Sequence, residues 1–401
     1  MIDFKTLSDT YDTPLYIYDF DYISTKYSEL KESFRAKKSL ICYAVKANSN
    51  LSVIKHLADL GAGCDCVSIG EVRRAFLAGV SSYKIIFSGV GKRDVEIKEA
   101  IEKDILMINL ESFAELMRVE IMAKELGKIA RISIRVNPNI DPKTHPYIST
   151  GLSENKFGVD IEDAKRMYIK AKNSEFLDPV GIHFHIGSQL TELEPIQKSS
   201  EIVADLVRNL KVLDINIKFF DIGGGLGIRY KDEVLIKPYD YAQAIFSTLF
   251  TLDVTIICEP GRFLVGESGY FLTKVLYEKQ NGDKRFVIVD GGMNDLIRPS
   301  LYNAYHDIEV LNNENEKTLT DVVGPVCESG DFFAKNIELP KTEHNDLLVI
   351  KNAGAYCYTM SSNYNTRAKA AEVALENGKD RLIRKRENFE DMIALEKEFI
   401  K

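Results

Sequence analysis

The stretch "ICYAVKANSNLSVIKHLADLGAGCDCVSIGEVRRAFLAGV", residues 41–80, switches twice from strand to helix. Ile41–Val45 is a short apolar run rich in β-formers, the pattern of a strand buried on both faces. "NLSVIKHLADLG" then places apolar residues at helical spacing and closes on a glycine, as helices commonly do. A strand-like run at 64–68 and the amphipathic "GEVRRAFLAGV" repeat the unit. Working outward, "DYISTKYSELKESFRA" gives a helix before the first strand. Further strands read at 84–88, 106–110, 132–137, 180–186, 218–223 and 255–259, with amphipathic stretches such as "SFAELMRVEIMAKELG" between them. Eight strands alternating with helices over roughly 240 residues predict a (β/α)8 barrel, because an open doubly wound sheet more often stops at about five to seven strands.

After Gly261 the texture changes. "YFLTKVLYE", "KRFVIVDGG", "TDVVGPVCES", "DLLVIKNAGAYCY" and "AEVALENGKDRLIRKR" are β-like runs separated by turn residues, and the last holds an Asn-Gly hairpin signal. The expected organisation is an α/β barrel over residues 24–265 and an all-β domain over 266–401, which residues 1–23 join.

The net charge of −8, with both signs interspersed, argues against a nucleic-acid surface. "MIDFKTLSDT" lacks the basic and apolar regions of a signal peptide, and no apolar run approaches the ~18 residues that span a bilayer. A cytoplasmic location without membrane contact is expected. Six cysteines are too sparse for a disulfide framework, and Cys64-x-Cys66 has no second close pair to complete a zinc site.

Polar residues gather where strands end, which in a (β/α)8 barrel is the active-site face. Lys46 ends the first strand and Asp65 lies in the second; Arg135 and Asn137 end the fifth; His185 and Ser188 follow the sixth. The seventh runs into "DIGGGLG" (221–227) and the eighth into "EPGR" (259–262). The glycine run is no dinucleotide fingerprint, since "IRYKDEVLIKP" after it is no amphipathic helix. A glycine-rich strand end still exposes backbone N–H groups that can cradle a phosphate. "SGVGKRD" (88–94) lacks the remaining features of a P-loop. "GIHFHIGSQ" (181–189) puts His183 and His185 on one face of a strand, a metal-like pattern without a third nearby ligand; no metal is expected. Glu259 and Arg262 flank a tight turn and could simply pair with each other.

Taken in order, "YAVKAN", "GAGCDCVSIGE", "NPNIDPKTHPYISTGLSENKFG", "HFHIGSQ", "DIGGGLGI", "EPGR", "RPSLYNAYH", "GPVCESGD" and "GAYCYTMSSNYN" resemble the fold-type III pyridoxal-phosphate decarboxylases over nearly the whole chain. Departures are small: Cys66 and Ile69 replace the more usual valine and glycine, and "NTRAKAAEV" lacks the family's prolines. The resemblance implies an alanine-racemase-type barrel with a second β domain, pyridoxal 5'-phosphate as cofactor, and a homodimer with shared active sites. It implies that Lys46 binds the cofactor's aldehyde, which needs a desolvated amine, and that Asp65 holds and tunes it. His185 should stack on the cofactor ring. Ser188, Gly224, Gly225 and Arg262, with Pro260 and Gly261 of the same turn, should gather its phosphate. Glu259 should pair with the pyridine nitrogen and keep it protonated, which strengthens the electron sink that breaking a Cα–carboxylate bond requires. Alanine racemases of this fold use an arginine there, so Glu259 favours decarboxylation. Tyr356 should complete the cofactor and substrate sites.

By the same resemblance Cys327 protonates the carbanion left after CO2 loss, as a residue lent by the partner subunit. An ordinary thiol is mostly protonated at neutral pH and can serve as that acid. Intact Lys46, Glu259 and Cys327 argue against a regulatory relative that has lost turnover. The implied substrate is meso-2,6-diaminopimelate, converted to L-lysine at the last step of lysine biosynthesis; the alternative is ornithine, lysine or carboxynorspermidine. Arg298 discriminates. A guanidinium would repel a cationic distal end, whereas an ammonium and a carboxylate together suit Arg298 with Glu328, assisted by Arg262 and Tyr302.

Overall fold

The computed structural model describes residues 2–141, 156–313 and 315–400, and the chain divides into two units. Most of the expected motif at 137–158 therefore lies outside the described residues. One unit comprises Ser24–Ile228 and Val234–Leu264; the other comprises Met1–Ile23, Arg229–Glu233 and Val265–Lys401. No helix among the described residues is long and apolar enough to cross a membrane.

Strand β1 (Leu15–Asp19) belongs to the second unit. The first unit is a closed barrel of β2 (Ser39–Ala44), β3 (Gly63–Cys66), β4 (Ile85–Phe87), β5 (Met107–Leu110), β6 (Ala130–Arg135), β7 (Leu177–His183), β8 (Phe219–Asp221) and β9 (Thr255–Cys258). Every neighbouring pair is parallel, and β9 closes on β2 through the register Ile41↔Cys258. Closure leaves no edge strand to protect. Cys42, Ile86, Leu106, Met107, Val180 and Ile257, drawn from β2, β4, β5 and its start, β7 and β9, pack as a buried cluster. Cys42 thus behaves as a small hydrophobe, and burial pushes its thiol well above the ordinary range. All six cysteines are free.

All eight expected strands exist, but most stop earlier than the hydrophobic runs suggest. β2 ends at Ala44, so Lys46 lies in the single 3-10 turn Val45–Ala47 rather than on the strand itself. β7 ends at His183, so the expected single strand face carrying both His183 and His185 does not exist; His185 lies in the following loop. The apolar residues past these ends, such as Val45 and Phe184, are buried without belonging to the ladder, which is why hydrophobicity overestimates strand length.

Lys92, from the glycine-lysine pair that carries no P-loop, has a structural role instead. Its buried ammonium donates to the Gly89 and Asn109 carbonyls at 2.7 and 2.6 Å and to Glu115 Oε1 at 2.7 Å. The Phe87 ring lies 5.3 Å from it.

The second unit is a sheet ordered β14-β13-β11-β10-β1-β16-β17, with β15 joining β10 to β12. Its remaining strands are β10 (Gly269–Asn281), β11 (Lys284–Val289), β12 (Ile308–Val310), β13 (Lys317–Val323), β14 (Phe332–Pro340), β15 (Leu347–Ile350), β16 (Ala371–Glu376) and β17 (Lys379–Arg384). The N-terminal β1 sits inside this sheet, antiparallel to β10 and parallel to β16. Leu15, Ile17, Leu272, Val349 and Val373 form the core of that junction. Asn377 and Gly378, with φ of 53° and 72°, make the expected hairpin turn between β16 and β17. Helices Phe4–Tyr11, Arg298–Tyr302 and Phe389–Ile393 belong to the same unit.

Replacing Lys92 by alanine leaves the Glu115 carboxylate buried without its cation, which typically costs roughly 3–5 kcal/mol. Urea denaturation should register a loss of that order for Lys92→Ala. A loss below about 1 kcal/mol would mark the pair as no stronger than a surface salt bridge.

Candidate active site

Lys46 stands two residues beyond Ala44, which pairs with Asp65 at the end of the β2–β3 ladder, and this register brings the Lys46 and Asp65 side chains together. Lys46 Nζ lies 3.4 Å from Asp65 Oδ2. The Lys46 side chain is 40% exposed and that of Asp65 only 1%, so the amine can meet a ligand while its partner stays fixed. Burial, then the nearby Glu259 charge, raises the Asp65 carboxyl above its ordinary range against the opposing pull of Lys46.

Three further strand ends meet at one buried spot. His183 ends β7, Asp221 ends β8 directly opposite it, and Glu259 follows β9. Glu259 N donates to the Gly223 carbonyl at 2.7 Å, and Glu259 Oε2 lies 3.3 Å from His183 Nε2. Burial and the Glu259 charge push Asp221 well above the usual carboxylate range. Burial opposes ionisation of Glu259 too, but His183 and Lys46 outweigh it and hold Glu259 low, at about 2. Asp221 Oδ2 and Glu259 Oε1 are both buried and neither meets a donor among the described residues. A proton on Asp221 shared with Glu259 would satisfy both oxygens, in line with the upward shift of the first and the downward shift of the second. His183, Asp221 and Glu259 present ligand atoms within 4.8 Å of one another, a spacing that also suits a cation.

The glycine run is stitched to the loop after β7. Gly224 N donates to His185 Nδ1 at 3.3 Å, Leu190 N to the Gly225 carbonyl at 2.8 Å, and Gln189 exchanges side-chain bonds with both backbone groups of Ile228. A Cβ on Gly224 would sit 2.2 Å from the Glu259 carbonyl oxygen, and Gly225 has a φ of 125°, so both positions require glycine. Arg262 is buried and donates from Nε and Nη2 to Ser188 Oγ at 3.3 and 3.2 Å. The local Glu259–Arg262 ion pair that their spacing allows is therefore not formed; each has another partner. Pro260 is fixed through its carbonyl, which accepts from Ala44 N at 3.1 Å, and Gly261 accepts from Leu264 N. Burial, with Arg135 and Lys46 nearby, holds the His185 imidazole well below its ordinary range, so it presents a neutral flat ring.

This donor set fits pyridoxal phosphate. A lysine amine suits the aldehyde, a neutral ring the stacking face, a hydroxyl and a guanidinium beside an open glycine loop the phosphate, and a buried carboxylate the pyridinium.

In the second unit Arg298 opens the helix Arg298–Tyr302 and is buried. Its Nη1 is 2.9 Å from His306 Nε2, and its guanidinium carbon lies 4.9 Å from the centre of the Tyr230 ring. Among the described residues no carboxylate pairs with it, an unusual state for a buried cation. Tyr302 is half-buried on the same helix. Cys327 and Glu328 are exposed on a loop fastened by Asp331, which accepts from Met293 N and Val326 N at 2.6 Å each. Cys327 N donates to Asn365 Oδ1 at 3.1 Å, and the neighbouring Glu328 pushes the Tyr364 phenol above its ordinary range. Tyr356 is held at a φ of 60°, a strained backbone for a bulky residue. Sequence reasoning assigned no role to Asp221, His306 or Asp331, although each lies in a quoted motif. Ser88 and Asn109, whose buried side chains bond at 3.0 Å, carry no sequence signal of their own.

A barrel rim of this composition is that of a pyridoxal-phosphate enzyme. The family model described as "Pyridoxal-dependent decarboxylase, pyridoxal binding domain" matches residues 20–266. The diaminopimelate decarboxylase of Campylobacter jejuni is 63% identical over 401 residues, covering 100% of both chains. That of Helicobacter pylori strain J99 is 56% identical, covering 99% of this chain and 98% of its own. The crystal structure of the Helicobacter pylori enzyme complexed with L-lysine superposes with a TM-score of 0.97 at 55% identity, over 99% of this chain and 100% of that one. The chain belongs to the diaminopimelate decarboxylases, a branch of the pyridoxal-dependent decarboxylase family.

A neutral Asp221 is directly observable. The infrared spectrum of the apoprotein at neutral pH should contain a protonated-carboxyl band that disappears in Asp221→Asn. The asparagine keeps a donor toward Glu259 and should retain cofactor affinity better than Asp221→Ala. Loss of the band in Glu259→Gln but not in Asp221→Asn would place the proton on the other partner.

Proposed function

We propose that the chain converts meso-2,6-diaminopimelate to L-lysine and CO2, the last step of lysine biosynthesis, as a cytoplasmic homodimer. The observation that carries the substrate assignment is Arg298, a buried guanidinium whose hydrogen-bond partner is a neutral ring. A carboxylate is the ligand that would complete it through two parallel hydrogen bonds. The cationic ends of ornithine, lysine and carboxynorspermidine would be repelled there. The names of the relatives, all close and full-length, point the same way.

Bound pyridoxal phosphate supplies an electron sink for the pair left on Cα when the carboxylate departs as CO2. The remaining work falls to the protein. Lys46 anchors the cofactor and Asp65 steers its amine. Glu259, held ionised with His183 against one oxygen and Asp221 beside it, would pair with the cofactor's pyridine nitrogen. His185 supports the ring, and Ser188, Arg262 and the Gly224–Gly225 backbone take the phosphate, with Pro260 and Gly261 shaping the turn. Arg298 and Glu328 hold the distal carboxylate and ammonium, assisted by Tyr302, Arg262 and Tyr356. Cys327 returns one proton to Cα, in the position vacated by CO2. Its exposure in the single chain suits delivery into a partner's site, which supports the homodimer. Six free thiols suit a reducing compartment, which supports the cytoplasm.

Lys46→Ala should lower turnover by several orders of magnitude and abolish borohydride-dependent attachment of pyridoxal phosphate to the protein. Peptide mapping that finds the label on another lysine in the native chain overturns the assignment.

Arg298→Ala should cut kcat/KM for meso-diaminopimelate about thirty-fold to several thousand-fold, the typical cost of removing one partner of a desolvated charge pair. Trace activity on lysine should change little. Equal losses on both substrates, or native activity on ornithine, would refute the distal-carboxylate role.

A further inference from the structure

Arg298 is held by a device with a fixed protonation state. His306 Nδ1 lies 2.8 Å from the Lys351 carbonyl oxygen, which can only accept, so Nδ1 carries a hydrogen. Arg298 Nη1, which can only donate, lies 2.9 Å from His306 Nε2, so Nε2 offers its lone pair. Both bonds are satisfied together only by the neutral Nδ1–H tautomer. His306 is 2% exposed, so bulk solvent does not compete for either nitrogen.

The ring has little freedom to turn. His306 precedes β12 and Lys351 follows β15, and the antiparallel register Ile308↔Ile350 holds the two at a set separation. Lys351 N donates back to the Asp307 carbonyl at 2.9 Å, while its ammonium pairs with Asp307 and Glu309 at 3.0 and 2.9 Å. Tyr230 closes the arrangement. Its ring meets His306 edge-on, with centroids 5.6 Å apart at 81°, and lies under the Arg298 guanidinium. It arrives on residues 229–233, a short excursion of the chain into the second unit that Asn352 fastens by donating to the Arg229 carbonyl at 2.8 Å.

We propose that His306, as its Nδ1–H tautomer, and Tyr230 are positioning residues that set the plane of the Arg298 guanidinium and thereby the enzyme's preference for a substrate with a distal carboxylate. The proposal rests on the reading of Arg298 given above. A carboxylate partner would have neutralised the arginine and closed it to a ligand. A neutral acceptor and an aromatic face orient it and leave its charge for the substrate.

The test compares His306→Phe, which keeps a flat ring but loses the acceptor, with His306→Gln, whose amide oxygen can restore it. All are assayed as holoenzyme with confirmed cofactor content. His306→Phe should raise KM for meso-diaminopimelate roughly ten- to a hundredfold while kcat changes by less than about threefold. His306→Gln should recover most of that KM. Nitrogen-15 histidine spectra should assign the native ring to the Nδ1–H tautomer, with a Nε2 shift that moves in Arg298→Ala. A KM unchanged in His306→Phe while Arg298→Ala still loses activity sinks this inference alone, as does an Nε2–H or doubly protonated ring. Should Arg298→Ala itself leave the substrate preference intact, the underlying reading of Arg298 fails instead.

Discussion

In a parallel barrel every strand finishes at the same rim, so the closure of β9 on β2 decides which side chains can meet. Ala44 opposite Asp65 sets Lys46 beside a carboxylate, and His183 opposite Asp221 sets an imidazole beside another. A one-residue slip of any of these strands would turn its terminal side chain to the other face of the sheet and dismantle the group. The apolar plug formed by Cys42, Ile86, Met107, Val180 and Ile257 opposes such a slip, because slippage would expose it. Packing low in the barrel is in this sense the source of the geometry at its mouth.

That mouth gathers more carboxylates than it can leave ionised. Asp65, Asp221 and Glu259 are all buried, and their mutual repulsion would be severe if each carried a charge. The field resolves unequally. Glu259 has His183 against one oxygen and keeps its charge, whereas Asp221 has a backbone N–H from Gly223 on one oxygen and the Glu259 charge facing the other. On the proposed reading that leaves one fixed negative charge, on Glu259, to face a pyridinium.

The barrel strands and the rim residues were legible because both leave local signals, runs of β-formers ending in charged or glycine-rich turns. Strand ends were less so, since burial continues into Val45 and Phe184 after the ladder stops. β1 lies inside the second sheet through partners hundreds of residues away, β10 and β16, and nothing in "PLYIYDF" specifies them. The Asp221 proton, the His306 tautomer and the Tyr230 excursion depend wholly on what tertiary structure places opposite each group. Their residues sat in plain view in the motifs, but a motif records residue types and not which lone pair faces which hydrogen.

Among the described residues, the buried cations Lys92, Arg135 and Arg285 differ from Arg298 in what they face. Lys92 has Glu115, Arg135 has Glu111 at 3.2 Å, and Arg285 has Glu278 together with two threonines and two carbonyls. Each of these is neutralised within its own unit, so an incoming anion would gain little and would have to displace a bound carboxylate. Arg298 is as deeply buried but has a lone pair and an aromatic face in place of a carboxylate. No carboxylate among the described residues compensates its charge, and burying an unpaired charge is costly. On the proposed reading a substrate carboxylate supplies the missing anion, and a ligand with a cationic end gains nothing there.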